Sequence, residues 1–266
     1  MRKFWEYLYI EWFRQVGEAL LLAFLVTTFL FTTVGVVGSS MNPSLLNGER
    51  VFVPKYETWL VRFGLTQWRR GEVAIVKPPE GIPNAYAQFP ILGFPFRAFF
   101  IKRIVGVPGD EISLRDGVLY RNGQMVNEEH ITRFITPFQD SFPGVCYLNG
   151  ELVELTTQQS NFALDETPAY LEPTLRMLMP PSADLLERSK IGRVCEVGTL
   201  KIEPGYYFLM GDNRTFGGSE DSRTFGPVPS SAIAGRANFV WWPPVVRTES
   251  GVQFNLRGLG IPEGFR

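Results

Sequence analysis

From Ala19 to Gly48 the chain carries no charged side chain, and the stretch "ALLLAFLVTTFLFTTVGVV" from Ala19 to Val37 is almost wholly apolar. As a helix it spans ~28 Å, close to the hydrocarbon thickness of a bilayer. Its threonines can bond back to the helix's own carbonyls, so they do not forbid insertion. The lead "MRKFWEYLYIEWFRQVGE" mixes charges with tryptophan and tyrosine, which suits a membrane–water interface. The sequence therefore predicts an interfacial segment over 1–18 and a transmembrane helix over 19–37. A cleaved secretory signal is the competing reading, kept open by Gly35 and Gly38, but its apolar core is normally about 7–15 residues. Arg2, Lys3 and Arg14 before the span, against Arg50 and Lys55 after it, lean toward a cytoplasmic N-terminus.

Beyond the span, short runs such as "RVFVPKY", "GEVAIVKPP", "GTLKIEPGYYFLMGDN" and "GRANFVWWPP" are rich in Val, Ile, Phe and Tyr and are punctuated by Gly, Pro, Asn and Asp. That pattern predicts a mainly β fold of short strands. In "LYRNGQMV" the pair Asn122-Gly123 predicts a hairpin turn. Residues 128–195 differ in tone, with "TPFQDSFPGV" and "MPPSADLLERSKIG", and read as a loop-rich β insertion. The expected order is an N-terminal transmembrane helix, a β core in two halves (38–127 and 196–243) split by the insertion at 128–195, and a tail at 244–266 without a readable motif. A net charge of −1 offers no bulk basic field for nucleic acid.

Two stretches, 56–71 and 81–100, mix aromatics with arginines. Trp59, Phe63, Trp68, Phe89, Phe94 and Phe96 read either as core under a loop or as a surface resting on lipid. Cys146 and Cys195 fit no C-x-x-C spacing. They can pair outside the cytoplasm, and two unpaired buried thiols fit the sequence equally well. His130, in "NEEHITRF", is the only histidine and reads as a surface residue, since a catalytic or metal site needs partners.

The stretch "GSSMNPSL" (38–45) places three serines where the apolar run stops. A polar turn at a membrane edge is the plain reading; a nucleophile at the bilayer surface is the sharper one. The chain holds no G-x-S-x-G elbow, S-x-x-K pair, H-E-x-x-H helix or Walker loop. A serine nucleophile needs a base within reach. With histidine set aside, a lysine made neutral by burial is the natural substitute. Lys102 sits in the strand-like "AFFIKRIVGV" among apolar neighbours. In a strand, Lys102 and Arg103 point to opposite faces, so one cation is expected inside and the other in solvent. Lowering a lysine from ~10.4 to ~7–8 requires about 3–4 kcal/mol of differential stabilisation. A lysine snorkelling from a sheet edge fits the same spacing.

Five stretches in order, "SMNPSL" (40–45), "GERVFVPKY" (48–56), "RGEVAIVKPP" (70–79), "FIKRIVGVPGDEI" (100–112) and "MGDNR…SEDSRTFGPVP" (210–229), resemble the boxes of type I signal peptidases. The resemblance covers the anchor helix and both halves of the core, and leaves out the insertion and the tail. It implies a Ser–Lys protease on the extracytoplasmic face of the cell membrane, single-pass, which removes signal peptides from exported preproteins without a metal or organic cofactor. It places Ser40 as nucleophile, Lys102 as general base, Ser219 as the hydroxyl orienting the lysine, and Asp221 with Arg223 as a bracing ion pair. Extended substrate would add a strand beside "VGVVGS" and "RAFFIK", with small residues at −1 and −3 against walls from Met41, Leu45 and Ile101.

Two departures stand out. Gly38 occupies a position where some members carry a serine that binds the oxyanion, a donor whose loss can cost about 3 kcal/mol. The six residues "TFGGSE" separate Arg214 from Asp221, where many members have four; Ser219 is assigned by its spacing to Asp221. Three rivals stay on the page. A self-cleaving Ser–Lys regulator would carry a DNA-binding front end in place of a membrane helix. A tethered β-domain would bind partners without cutting them, and a maturase would serve one dedicated substrate.

Overall fold

The structure, a computed structural model, describes residues 2–82, 84–88, 93–131, 140–215, 217–248 and 251–266. A helix over Arg2–Leu25 runs into a π-helical turn at Val26–Leu30. Within it, Tyr9–Leu30 is the one stretch among the described residues long and apolar enough to cross a membrane, and none of it is buried in the protein. The interfacial lead and the apolar run are thus one continuous helix.

That helix ends earlier than the sequence suggested. Instead of continuing to Val37, the chain becomes a strand at Phe31–Gly35, paired antiparallel with Arg50–Pro54 from Phe31 opposite Pro54 to Gly35 opposite Arg50. Thr32, Thr33 and Val34 are β-branched and suit a pleated surface. Phe31 lies 5.0 Å from Phe52, which stacks at 4.8 Å on Phe239. Thr27, still in the helix, does bond back to the Ala23 carbonyl at 2.8 Å.

The fold is mainly β. A five-stranded antiparallel sheet runs in the order Val228–Pro229, Tyr206–Met210, Phe100–Gly106, Val73–Val76, Ile233–Arg236. Its strands are apolar on both sides. Ala74, Val76, Ile104, Tyr207 and Leu209 pack with Trp68 and Phe225 in one cluster. Val73, Ile75 and Ile101 join a second cluster, and Val105, Phe208 and Met210 a third. Continuous runs such as "VAIV" have this cause: alternate side chains enter different clusters, so no face is left for water. Trp68 is therefore core, only 5% exposed, and not part of a lipid-facing surface. Trp59, Phe63, Phe94 and Phe96 are exposed; Phe89 lies outside the described residues.

A second sheet joins Phe31–Gly35, Arg50–Pro54, Phe239–Trp242 and Arg257–Gly258, and a third contains Leu200–Lys201, Glu111–Arg115, Val118–Arg121 and Gln124–Met125. The turn between the last two has positive φ at both Asn122 and Gly123, the hairpin geometry their types favour. Asn161–Ala163, Glu151–Thr156, Gly144–Leu148 and Val194–Val197 form a fourth sheet, closed by the helix Ala183–Ile191 over a small core of Val145, Tyr147, Leu155, Leu171 and Leu185. This insertion is more ordered than its composition suggested, and its last strand extends two residues past 195. Cys146 faces Cys195 across the Gly144–Leu148 and Val194–Val197 pairing, and the two form a disulfide.

The tail returns to the core. Arg257 grips the buried Glu49 with both terminal nitrogens at 2.6 Å and also donates to the Ser44 carbonyl at 3.1 Å. Phe265, 4% exposed, enters the cluster of Val105, Leu119 and Phe208. Gly71, at φ +79°, has to be glycine: a Cβ there would stand 2.7 Å from Ile261 Cγ2 and 2.9 Å from Phe265 Cβ. Phe265→Ala should lower the unfolding free energy by about 3–5 kcal/mol, measured by denaturant unfolding of the detergent-solubilised protein; a loss below ~1 kcal/mol would mean the tail does not close the core in solution.

Candidate active site

Ser40 sits in the loop that leaves the edge strand Phe31–Gly35 and returns to Arg50–Pro54. The loop is pinned from inside. Gly48 donates to the Val36 carbonyl at 2.9 Å, Val36 to the Glu49 carbonyl at 2.8 Å, and the Gly38 N–H to Asn47 Oδ1 at 3.0 Å. Met41 and Leu45 are sealed in the cluster that also holds Ile101, which keeps 8% exposure. The three side chains expected as pocket walls therefore meet, with Met41 and Leu45 packed as core beneath the loop.

Asn213 holds Ser40 from the other side. Its N–H donates to the Ser40 carbonyl and its side-chain nitrogen to the Ser39 carbonyl, both at 3.1 Å. Sequence reasoning quoted "MGDNR" without giving Asn213 a role; an amide beside a strand end was the available signal. Two residues earlier, Gly211 marks the point of convergence. A Cβ there would stand 2.5 Å from both the Ser40 carbonyl and Ser219 Cβ. Gly211 also lies one residue beyond the pair Met210–Arg103, alongside Lys102 on the neighbouring strand. Ser40, Ser219 and Lys102 are thereby brought around one glycine.

Lys102 is 3% exposed, on the sheet face of Ile104 and Phe225, with Nζ 5.3 Å from the Phe100 ring. Burial pushes its pKa down to about 8, against the pull of Asp221 and with help from the positive charge of Arg223. Arg103 does not go to solvent as expected. Because the opposite face is also covered, it is 3% exposed and bonds Asp212 through Nε at 2.8 Å and Nη2 at 2.6 Å, with Nη1 on the Gly71 carbonyl at 2.6 Å. Burial works against the charge of Asp212, yet Arg103 holds its carboxyl well below the usual range. His130 is likewise not a surface residue: its ring is 15% exposed, with Nε2 3.6 Å from Asp212 Oδ1 and its edge toward Phe265.

Asp221 is fully buried and caps the short helix Ser222–Phe225. It accepts from the Gly211 N–H at 2.8 Å, from Ser219 Oγ at 2.7 Å, and from Arg223 Nε at 2.8 Å and Nη2 at 2.7 Å. Burial alone would raise its pKa, but the Arg223 charge and these bonds carry it down to about 2. The Asp221–Arg223 ion pair is thus present. The Ser219 hydroxyl donates to Asp221, which leaves its lone pairs to accept from an amine. Arg223 reaches further, to Asp140, and Arg214 pairs with the buried Glu128 while its Nε holds the Gly211 carbonyl at 2.8 Å. Among the described residues no group of three or more His, Cys, Asp and Glu is arranged to hold a metal.

The Ser40 carbonyl and the Ser219 side chain converge at Gly211, next to the strand that carries a buried amine of lowered pKa, and comparison with known proteins says to which class of enzyme the chain belongs. The family model described as signal peptidase, peptidase S26, matches residues 9–242. The chain is 28% identical over 236 residues to signal peptidase I of Bacillus licheniformis, covering 88% of each chain. It is 26% identical over 234 residues to signal peptidase IB of Staphylococcus aureus strain COL, covering 88% of this chain and 90% of the relative. A crystal structure of a signal peptidase I from Enterococcus faecalis V583 aligns with a TM-score of 0.32 at 20% identity, over 64% of this chain and 97% of that one. The chain belongs to the signal peptidase family, peptidase S26, whose members cleave signal peptides.

The lysine has a measurable consequence for stability. Its folded pKa of about 8 lies below the unfolded value of 10.5, so between those values the unfolded state binds more protons and stability rises with pH. Below pH 8 the full penalty, on the order of 3 kcal/mol, is present. Lys102→Met should therefore be at least as stable as wild type at pH 7, with its advantage shrinking as pH rises from 8 to 10.5. Denaturant midpoints across that range check this, and a variant clearly less stable at pH 7 would contradict the burial.

Proposed function

We propose that this chain is a membrane-anchored endopeptidase that removes signal peptides from exported preproteins, cutting after a small residue with a second small residue at −3, by a Ser40–Lys102 dyad. The observation that carries the reading is the buried Lys102 amine, with its pKa near 8, on the strand beside Gly211, where the Ser40 backbone and Ser219 converge. A neutral Lys102 takes the Ser40 proton as Oγ attacks the carbonyl before the scissile bond. The leaving amine departs with a proton from Lys102, and water then attacks the acyl-enzyme with Lys102 again as base. Ser219 accepts from the lysine amine while donating to Asp221, and Asp221 with Arg223 keeps that hydroxyl in place.

The oxyanion needs donors that are not already spent. The Gly38 N–H is used by Asn47 Oδ1. The Ser40 N–H has no backbone partner among the described residues, so it is the donor assigned to the oxyanion. Substrate pairs with the outer edge of Phe31–Gly35, which is the first strand of its sheet. Ile101 is the least buried member of the apolar group proposed to receive the small side chains, with Met41 and Leu45 as its backing.

The anchor and compartment follow from neighbouring features. Phe29 at the end of the apolar helix stacks 6.5 Å from Trp59 on the helix Lys55–Arg62, and Trp59 in turn lies 6.5 Å from Phe63. Phe63 and Leu65 are more than two-thirds exposed, which extends the apolar belt sideways as a lipid-resting surface does. The Cys146–Cys195 disulfide fits an oxidising, extracytoplasmic location for the catalytic domain.

Incubation of the detergent-solubilised protein with a preprotein, followed by N-terminal sequencing of the product, tests the assignment. Wild type should release mature protein at a single bond, with kcat/KM rising through a pKa near 8, and Ser40→Ala and Lys102→Ala should each lose about 10³-fold or more. Full cleavage by either variant removes the dyad. Binding of the preprotein without cleavage by wild type would favour a tethered binding domain instead.

A further inference from the structure

The catalytic loop is gripped from outside by residues that the dyad does not explain. We propose that Asp140 is a positioning residue for cleavage, acting through Arg223 to fix the loop that carries Ser219 and Asp221; this rests on the peptidase reading above. Arg223 is completely buried, and Asp221 takes its Nε, its Nη2 and its backbone N–H. Its remaining terminal nitrogen, Nη1, is bound by Asp140 Oδ2. A buried guanidinium left with that N–H unpaired is costly, so Asp140 supplies the partner that Asp221 does not reach.

Asp140 is itself fixed from the far side. Its carbonyl accepts from the Gly117 N–H at 2.8 Å, Ser141 Oγ accepts from the Asp116 N–H at 3.1 Å, and Phe142 exchanges two backbone bonds with Leu114 at 2.8 and 2.9 Å. The brace therefore links the hairpin of Glu111–Arg115 and Val118–Arg121 to the loop. Gln158 works beside it: its N–H donates to the Arg223 carbonyl at 3.0 Å. In the amide orientation its neighbours require, its side chain donates to the Ser219 carbonyl at 3.2 Å and accepts from Arg223 Nη1 at 3.3 Å. Both ends of the segment 219–223 are thus tied to residues of the stretch 128–195, which gives that stretch a role in the site.

The same contact sets part of the field around the base. Lys102 is faced by Asp221, Arg223, Glu220 and Asp212. Asp140 offsets part of the Arg223 charge. With Asp140 neutral, Arg223 would bear more strongly on the lysine and favour its uncharged form. A purely structural prop would leave the lysine's titration where it is.

The test uses the full chain in detergent, comparing wild type, Asp140→Ala and Asp140→Asn by cleavage kinetics and by amide hydrogen exchange. Asp140→Ala should lower kcat by about 10²-fold with KM nearly unchanged, and should raise exchange over 209–225 while leaving Val73–Val76 protected. Asp140→Asn, which keeps an acceptor of the same shape, should stay folded and retain more of kcat, and should move the acid limb of kcat/KM to lower pH. Wild-type kcat, acid limb and loop exchange in both variants would overturn the proposal. So would a rise in exchange spread evenly over the core, or an unmoved acid limb in Asp140→Asn. If Asp140→Ala does not fold, the Asn variant decides. If wild type cuts no preprotein, the peptidase reading falls, and local exchange over 209–225 still decides whether Asp140 holds the loop.

Discussion

An amine can be made to release its proton near pH 8 and not above 10 only if water is taken away from it more thoroughly than neighbouring carboxylates can compensate. At Lys102 both influences act, and burial outweighs Asp221, Glu220 and Asp212. That balance demands a strand covered on both faces, which is why Phe100–Gly106 sits in the middle of its sheet between clusters that leave neither side wet. An edge position would have let the lysine reach solvent and regain its ordinary pKa. The architecture around the central sheet is the condition under which this lysine keeps a pKa near 8, as the proposed function needs of a base.

A second constraint follows from the first. Charges that must sit near such a lysine are themselves deprived of water, and isolated buried charges are costly. Each has been given a partner: Arg103 with Asp212, Arg214 with Glu128, and Arg223 with Asp221 and Asp140. All of these pairs involve the segment from Met210 to Phe225 or end on it. Buried ion pairs of this kind add little net stability over apolar packing, but they fix geometry where removal of one partner strands the other. Here they fix the polar residues that lie between the core anchors Met210 and Phe225.

The parts of the fold visible in the sequence were those where one local signal had one physical meaning. Asn122-Gly123 demanded positive φ twice and gave a hairpin; the apolar run around Lys102 read as a strand, without showing whether its lysine was buried or at an edge. The proposed nucleophile and base lie in short contiguous boxes and could be named from them. What stayed hidden depended on partners distant in sequence. Phe31–Val37 belongs to the same uncharged run as the helix before it, and only the presence of Arg50–Pro54 as a pairing partner turns Phe31–Gly35 into a strand. Arg103 looked solvent-bound until Asp212, 109 positions away, was seen to receive it. Asp140 and Phe265 carry no motif, because burial against an arginine or a glycine turn leaves no periodic trace in the chain.

The early end of the helix changes how anchor and site are related. Had the span continued to Val37, Ser40 would stand at the bilayer edge on a short flexible turn. Instead the chain leaves the helix at Leu30, runs as an edge strand over Phe31–Gly35 and turns at Gly38 to reach Ser40. Ten residues of extended chain reach at most ~36 Å, so Ser40 lies within that distance of the helix end while the strand holds the loop's orientation. On the proposed function, a peptide leaving the same bilayer meets an open strand edge before it meets the serine. Main-chain pairing then aligns it by register, and small side chains are selected only where the edge gives way to the loop. Membrane proximity and substrate alignment would thus come from one stretch of sequence, which needs β-branched residues that still tolerate the bilayer surface. "FTTVG" meets both requirements.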